Sequence, residues 1–505
     1  MSLSSNPNSY AGDRKDKGQS GDASLNTLLN ANNLDSYVLP SALSVTVARS
    51  HKKSYAVAES YQKGEGAAAS STVSFVLTPG ADYVYGPDSY FTFDFKHSKN
   101  TSNNVGAWFG QYGSVLNIFK SIRLTHASGT EIEYIDNLNL LNTFKLQYDR
   151  DETYRATDGT GFGSSYSQPS KRRNTANRTA AYATGPALKS ATNRTDVHLR
   201  GTYPSGTVTV STAEAVAQTA KPVVFHGDAP SGVFTILENA ETTHKFCVPL
   251  SMLSEFFNSD KLLPPYVLAG MRIELELENP LMSTQGINLD TDADVTCATD
   301  TLHTVSGLNM QLDSHTLTDS VAKALSRMSA NEGLDIHFPS WFHDRHSLTT
   351  DSSTINITKA LSRVEDICLV PRLDAQIASG TMGALPSLQA KPYASTGTTW
   401  QISIGSMFFP SYPVASPHES YRLALQGRRH MCRVPYVDYA EEGLGVMRGA
   451  LERSQILNGS GIAISATRGA TVAVNMTTAS NTTIDLFVRH TKLVSVFLDN
   501  VVVRT

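Results

Sequence analysis

From Tyr37 onward the chain is dominated by short apolar–polar alternations separated by turn residues. Phe91, Phe93 and Phe95 alternate with Thr92, Asp94 and Lys96. That period of two places aromatics on one face of a strand and polar groups on the other. Ser121 to Thr125 and Glu131 to Ile135 flank a Ser128-Gly129 turn and predict a β-hairpin. Met271, Ile273, Leu275 and Leu277 alternate with Arg272, Glu274, Glu276 and Glu278, which reads as the clearest half-buried strand. Leu308, Met310 and Leu312 alternate in the same way, and further strands are expected at 334–338, 353–358, 364–370 and 399–405. Two alternating runs, Ile484 to His490 and Leu493 to Val503, are expected to tie the C-terminal region into a sheet. Helical spacing is rare. Asp319 to Arg327, with Thr318 as its N-cap, and His418 to Leu425 read as short helices.

These elements fall into two β-rich halves, 37–290 and 301–505, joined by a linker at 291–300 within a polar stretch, 279–300. Short strands with long connections suit a sandwich or jelly roll better than a meander. The halves share no letter-by-letter repeat, so a structural duplication is an expectation to be tested. Residues 1–36 are polar and turn-rich and read as a flexible arm, in which Leu25, Leu28 and Leu29 have helical spacing. Residues 156–200 interrupt the first half with little periodicity, seven Lys/Arg (171, 172, 173, 178, 189, 194, 200) and two Asp. A loop of that length inside a compact unit is uncommon and carries either function or solvation.

Composition narrows the function classes. Charged residues are 17% of the 505, below the usual ~25%, and Ser, Thr, Asn and Gly fill the difference. A formal net charge of −4 without a basic tail argues against a protein that coats nucleic acid. No apolar run is long enough for a transmembrane helix, and Met1 to Ser20 lacks the apolar core of a secretory signal. Cys247, Cys297, Cys368 and Cys432 are too widely spaced for a zinc site or a tight disulfide framework, and read as free thiols. Seven Asn-x-Ser/Thr sequons, Asn356 and Asn475 among them, are what a Ser/Thr/Asn-rich chain produces by chance.

Candidate chemistry is thin. The sequence has no P-loop, no HExxH and no GxSxG elbow, and the glycines at 159, 161 and 163 sit in a loop. His337, His343, Asp344 and His346 bring metal-ligating residue types together. On a strand, however, His343 and His346 would face opposite sides, and structural histidines are the plainer reading. Glu274, Glu276 and Glu278 beside Arg272 put three carboxylates on one face, which reads either as a glycosidase-like patch or as a solvated strand face or subunit contact. No residue is assigned a catalytic, cofactor-binding or metal-binding role.

Several segments resemble a known family. Phe256 to Glu278 (FFNSDKLLPPYVLAGMRIELELE) resembles the closing strand region of the first barrel in double jelly-roll major capsid proteins. SGLNMQLDSHTLTDSVAKAL (306–325) followed by GLDIHFPSW (333–341) resembles the start of the second barrel in capsid proteins of virophages and polinton-like viruses, within the adenovirus/tectivirus lineage. WQISIGSMFFPSYPVASPHESYRLAL (400–425) and NIFKSIRLTHASGTEIEYIDNLNLLN (117–142) have the look of the same group. The resemblance covers about two-thirds of the chain, in the expected order. It implies an all-β chain of two jelly-roll barrels side by side, with long loop insertions and a few short helices. It further implies a non-enzymatic subunit that needs no cofactor. Such a subunit trimerises into pseudo-hexagonal capsomers and tiles an icosahedral shell around double-stranded DNA. Partners would be neighbouring capsomers and penton and minor capsid proteins, without sequence-specific nucleic-acid binding. The place of action would be the virion capsid, after synthesis in the host cytoplasm or nucleus. Loop length makes 156–240 the first barrel's tower and 371–398 part of the second's. The Glu274/Glu276/Glu278 face and the segment Phe408 to Tyr412 are candidate seam contacts. The competing readings are a double jelly-roll enzyme acting on glycans through Glu274 or Asp366, and a lectin-like module with exposed aromatic platforms. Of the three tryptophans, 108, 341 and 400, Trp400 lies in a pattern that predicts burial.

Overall fold

The computed structural model describes residues 47–99, 105–108, 114–148, 233–235, 243–259, 261–288, 294–295, 301–331, 333–348, 352–374, 398–426, 439, 447–451, 462–464, 469–476, 482–497 and 501–504. In chain order these form β1 (Val47–Val57), β2 (Tyr61–Gly64), β3 (Thr72–Val76), β4 (Tyr83–Lys99), β5 (Val105–Trp108), β6 (Phe119–Thr125) and β7 (Glu131–Ile135). There follow β8 (Val233–Thr235), β9 (Thr243–Pro249), β10 (Leu262–Leu263), β11 (Arg272–Leu277), β12 (Gln285–Asn288), β13 (Asp294–Val295) and β14 (Thr301–Leu317). The rest are β15 (Leu334–Leu348), β16 (Ser352–Ile357), β17 (Leu361–Leu373), β18 (Thr399–Ile404), β19 (Met407–Val414), β20 (Met447–Ala450), β21 (Ile462–Ile464), β22 (Ala470–Asn475), β23 (Thr482–Val496) and β24 (Val501–Arg504). Helices are few; the longest are Leu138–Tyr148, Asp319–Asn331 and Pro417–Gln426.

Two antiparallel sheets make the first sandwich. One runs β1-β14-β4, with β9 and β10 both on the far edge of β4; the other runs β3-β11-β6-β7. The second sandwich has β15-β23-β17-β20 facing β16-β22-β18-β19. Taking the eight principal strands of each half in chain order, the first sheet reads first-eighth-third-sixth and the second reads second-seventh-fourth-fifth. Both halves obey this order, which is the double Greek key of a jelly roll. The duplication invisible in the letters is therefore explicit in the topology. A small sheet, β13-β12-β5-β8, is built from the insertions of the first half.

The alternations become strands because each has one apolar face to bury. Phe91, Phe93 and Phe95 are fully inside, with Phe91 and Phe93 stacked 4.9 Å apart and Phe75 edge-on to Phe91. Ile273, Leu275 and Leu277 of β11 are buried while Arg272 is exposed, and β11 is central, paired with β3 and β6. The 121–135 hairpin forms as expected, closed by Gly129 at φ 85°, a left-handed position that suits glycine. Trp400 is buried, its indole N–H donated to Ser420 Oγ at 3.1 Å.

Three expectations are corrected. The run at 301–317 does not open the second half. As β14 it pairs with β1 and β4 and is the eighth strand of the first sandwich, so the boundary follows Leu317, at the helix Asp319–Asn331. The runs Ile484 to His490 and Leu493 to Val503 are not two strands of equal standing. β23 continues from Thr482 through Val496, and only Val501–Arg504 folds back on it as β24. The stretch 279–300, expected as a linker, carries a helical turn, Pro280–Ser283, and β12 and β13. The arm 1–36, the basic loop 171–200 and nearly all of the 156–240 and 371–398 insertions lie outside the described residues, as do Cys297 and Cys432.

Candidate assembly surfaces

The second sandwich has its own apolar core, with Ile367 and Leu369 of β17 and Leu486 and Val488 of β23 turned into it. The opposite face of the same sheet is buried as well. Cys368, Val370 and Phe487 join the larger cluster that continues from the core of the first sandwich. An antiparallel sheet normally keeps one face wet; this one is covered on both sides because the first half docks on it. The docking elements are β7, the helix Leu138–Tyr148 and the turn Glu255–Asn258. Phe144 meets Trp341 edge-on at 6.1 Å, and Phe256 meets Phe338 at 5.3 Å. Lys145 clamps helix to turn through Glu255 at 2.6 Å.

Charged groups are buried along this seam, each with partners, as their desolvation requires. Glu133 of β7 is wholly buried and accepts the hydroxyls of Ser340, at 2.8 Å, and Ser254. Burial raises its carboxyl above the usual range, against the pull of Lys492. Burial likewise lowers the Lys492 ammonium, whose Nζ donates to the Ile132 carbonyl at 3.3 Å. Asp485 of β23, also fully buried, accepts from Arg372 Nε at 2.7 Å, Arg345 Nε at 2.8 Å and His343 Nε2 at 2.8 Å. Burial alone would raise its carboxyl; Arg372 foremost, with His343 and Arg345, instead holds it far below the carboxylate range. His343 bridges the halves, since Asp136 of the first lies 3.6 Å from its Nδ1. Burial opposes its charge, but Asp136 and Asp485 raise it above the ordinary imidazole value. Asp366 is held by Arg448, Nε at 2.6 Å, and the Arg448 guanidinium lies over the Phe144 ring.

The candidate residues resolve as follows. His343 belongs to the seam, whereas His346 pairs with Asp344 at 3.2 Å and His337 lies apart; the four do not converge. Among the described residues no cluster of His, Cys, Asp and Glu has a metal-binding arrangement. Glu274 and Glu276 share the outer face of β11 and Glu278 follows its end; Glu274 pairs with Arg272 at 3.6 Å, Glu276 with Lys120 at 3.4 Å, and Glu278 accepts from Asn139 at 3.1 Å. Glu274 is in the first sandwich and Asp366 in the second. Cys368 is buried and Cys247 is exposed. The segment Phe408 to Tyr412 is β19, the edge strand of its sheet, with Phe408 and Tyr412 54% and 56% exposed. Sequence reasoning missed the helix Leu138–Tyr148 and the seam charges. Leu140, Phe144 and Tyr148, spaced by four and all buried, were the signal for the helix.

Comparison with solved structures finds the same arrangement elsewhere. A chain from the cryo-EM structure of the Sputnik virophage matches with a TM-score of 0.51 at 11% identity, covering 91% of this chain and 89% of that one. The mavirus major capsid protein matches at TM-score 0.48 and 10% identity, over 90% of each chain. A chain of the PBCV-1 virus capsid matches at TM-score 0.45 and 10% identity, over 90% of this chain and 97% of that one. No protein-family model and no curated protein matches the sequence. The fold is the double jelly roll: two eight-stranded sandwiches side by side in one chain.

Proposed function

We propose that this chain is a major capsid protein, a structural subunit of a virion. It trimerises into pseudo-hexagonal capsomers that tile an icosahedral shell around double-stranded DNA. The observation that carries the reading is the repeated eight-strand order, welded into one body through a buried seam and matched over 91% of its length by a chain of a virophage particle. Two like sandwiches per subunit supply six like sandwiches per trimer, the basis of a pseudo-hexagonal outline. The working chemistry is burial between copies, and trimer seams of an obligate assembly bury well above ~2,000 Å². Neighbouring capsomers and penton and minor capsid proteins are the partners, the insertion 156–240 is an outward tower, and the arm 1–36 ties neighbours together beneath the shell. A glycan-active reading would need two carboxylates in one cleft, and Glu274 and Asp366 belong to different sandwiches.

Negative-stain electron microscopy with light scattering tests this on the full chain. Pseudo-hexagonal particles of three times 54.6 kDa, or closed shells, are expected. A monomer that neither associates nor forms shells over a wide concentration range would overturn the proposal. Deleting 160–195 should leave trimers intact; loss of soluble trimer would place that loop in the interface instead.

A further inference from the structure

The end of the first sandwich from which its insertions leave is lined by histidines. β4 runs out there at Lys99 towards β5, β9 comes in from β8 at Thr243, and β14 comes in from β13 at Thr301. Each strand carries a histidine at that end: His97, His244 and His303. The same ends of β17, β20 and β23 in the second sandwich carry Arg372, Arg448 and Thr483 instead.

His303 and His97 are Cα partners, both buried, with His303 Nε2 3.0 Å from His97 Nδ1. In that bond one ring donates its N–H and the other accepts on a bare nitrogen, so at least one of the two is neutral. Phe95 packs edge-on against the His303 ring at 5.0 Å and has His244 as its partner on β9. The helical turn Pro280–Ser283 covers β14 here with an uncharged group, Ser283 Oγ, 3.5 Å from His303 Nδ1. From β2, Lys63 and Tyr61 stand on the His303 face, and the Tyr61 hydroxyl is hydrogen-bonded to Glu59 at 3.2 Å. Lys96 and Lys245 alternate to the opposite face of the sheet. The groups that face His303 among the described residues are thus His97, His244, Lys63 and Tyr61, and none is a carboxylate that could share its proton. Burial, and then His97 beside it, hold the His303 imidazole well below its ordinary value of 6.5; burial lowers His244 too.

We propose that the His97–His303 pair, flanked by His244, is an acid-sensitive latch on the insertion end of the first sandwich. Neutral, the pair closes β4 against β14. In acid, opening that end lets both rings take up protons that the closed pair cannot hold. The end therefore opens before the matching end of the second sandwich, where Arg372 and Arg448 are pinned to Asp485 and Asp366. The latch does not depend on the capsid reading. A histidine that is neutral when closed and protonated when open favours opening below its ordinary value of 6.5, about tenfold per pH unit, with no such effect above it.

Backbone hydrogen exchange of the full-length protein, followed by mass spectrometry between about pH 7.5 and about pH 5 and corrected for the pH dependence of chemical exchange, reads this opening directly. Peptides covering 93–99 and 301–306 should lose protection about thirtyfold for each proton taken up between pH 6.5 and about pH 5, while those covering 308–317 and 367–373 keep theirs. The double variant His97→Gln with His303→Gln keeps a polar pair that does not titrate, and its protection should stay within about threefold over the same interval. His303→Phe, which keeps a ring against Phe95, takes its place and is judged by the same outcome if the double variant does not fold. Wild-type protection that does not change with pH overturns the latch. So does an equal loss in the variant, or a loss shared by every peptide, which is global acid unfolding.

Discussion

Replacing Asp485 with alanine probes the seam between the sandwiches most directly. Asp485 is fully buried and serves Arg372, Arg345 and His343 at once. Removing it leaves the Arg372 guanidinium, itself only 1% exposed, without its carboxylate. Breaking a buried ion pair by deleting one partner costs about 3–5 kcal/mol. For a unit of this size each kcal/mol lowers the melting temperature by roughly 2–4 °C, so a drop on the order of 6–20 °C is expected. Differential scanning calorimetry of the purified chain measures it, with circular dichroism to confirm the native strand content at 20 °C. The double variant Asp485→Ala with Arg372→Met should recover much of the loss, because a neutral, apolar replacement of a buried pair is often close to neutral in stability. A loss below about 1 kcal/mol for Asp485→Ala would refute the reasoning, since that is the range of an exposed pair.

Further outcomes follow from the same geometry. The Asp485 carboxyl is depressed, so its stabilisation is present above its unfolded value of 3.8 and is lost as pH falls below it; His343 is raised, so its contribution is full below 6.5 and fades as pH climbs through its folded value. Melting temperature should therefore fall on both sides of a mildly acidic plateau, and His343→Gln should flatten the alkaline side; an unchanged alkaline slope would remove His343 from the account. A Cβ on Gly86 would lie 2.2 Å from the Phe257 carbonyl oxygen, so Gly86→Ala should destabilise by about 1–3 kcal/mol in urea denaturation. Glu274→Gln loses only a half-exposed contact with Arg272, so urea midpoints should shift by less than about 1 kcal/mol, and assembly should persist if the β11 face is not a seam.

What the sequence revealed depended on how many faces of a strand are wet. β4 and β11 have one buried and one solvated face, and their alternation was legible residue by residue. β23 is covered on both faces, so its polar residues His490, Thr491 and Lys492 are buried rather than a break, and one strand read as two runs. The assignment of 301–317 to the second half failed for a different reason. Its pattern correctly said strand, but its partners β1 and β4 lie more than 200 residues earlier, and local periodicity carries no information about partners. The seam charges were illegible because Glu133, Arg372 and Asp485 look locally like the solvated positions of ordinary strands. Asp485 alone offered a hint, as an acid inside the run Ile484–Val488. The aromatic-proline stretch at 408–412, expected as a seam contact, lies on an edge strand with Phe408 and Tyr412 exposed.

The insertion of each eighth strand between the first and the third has a consequence for the order of synthesis. β1 touches no other strand of its sheet, among the described pairings, until β14 arrives, some 250 residues later on the ribosome. β15 likewise waits for β23. Closure of the first sandwich must bridge about 250 residues and that of the second about 135 to 160, an entropic toll that comes before these two ladders form and slows folding. A nascent chain halted before residue 301 holds one complete sheet, β3-β11-β6-β7, but only unjoined fragments of the other, β1 and β4 with β9 and β10, each with an open edge. The interval in which β14 is still unmade is therefore when this protein is most exposed to mispairing with its own copies.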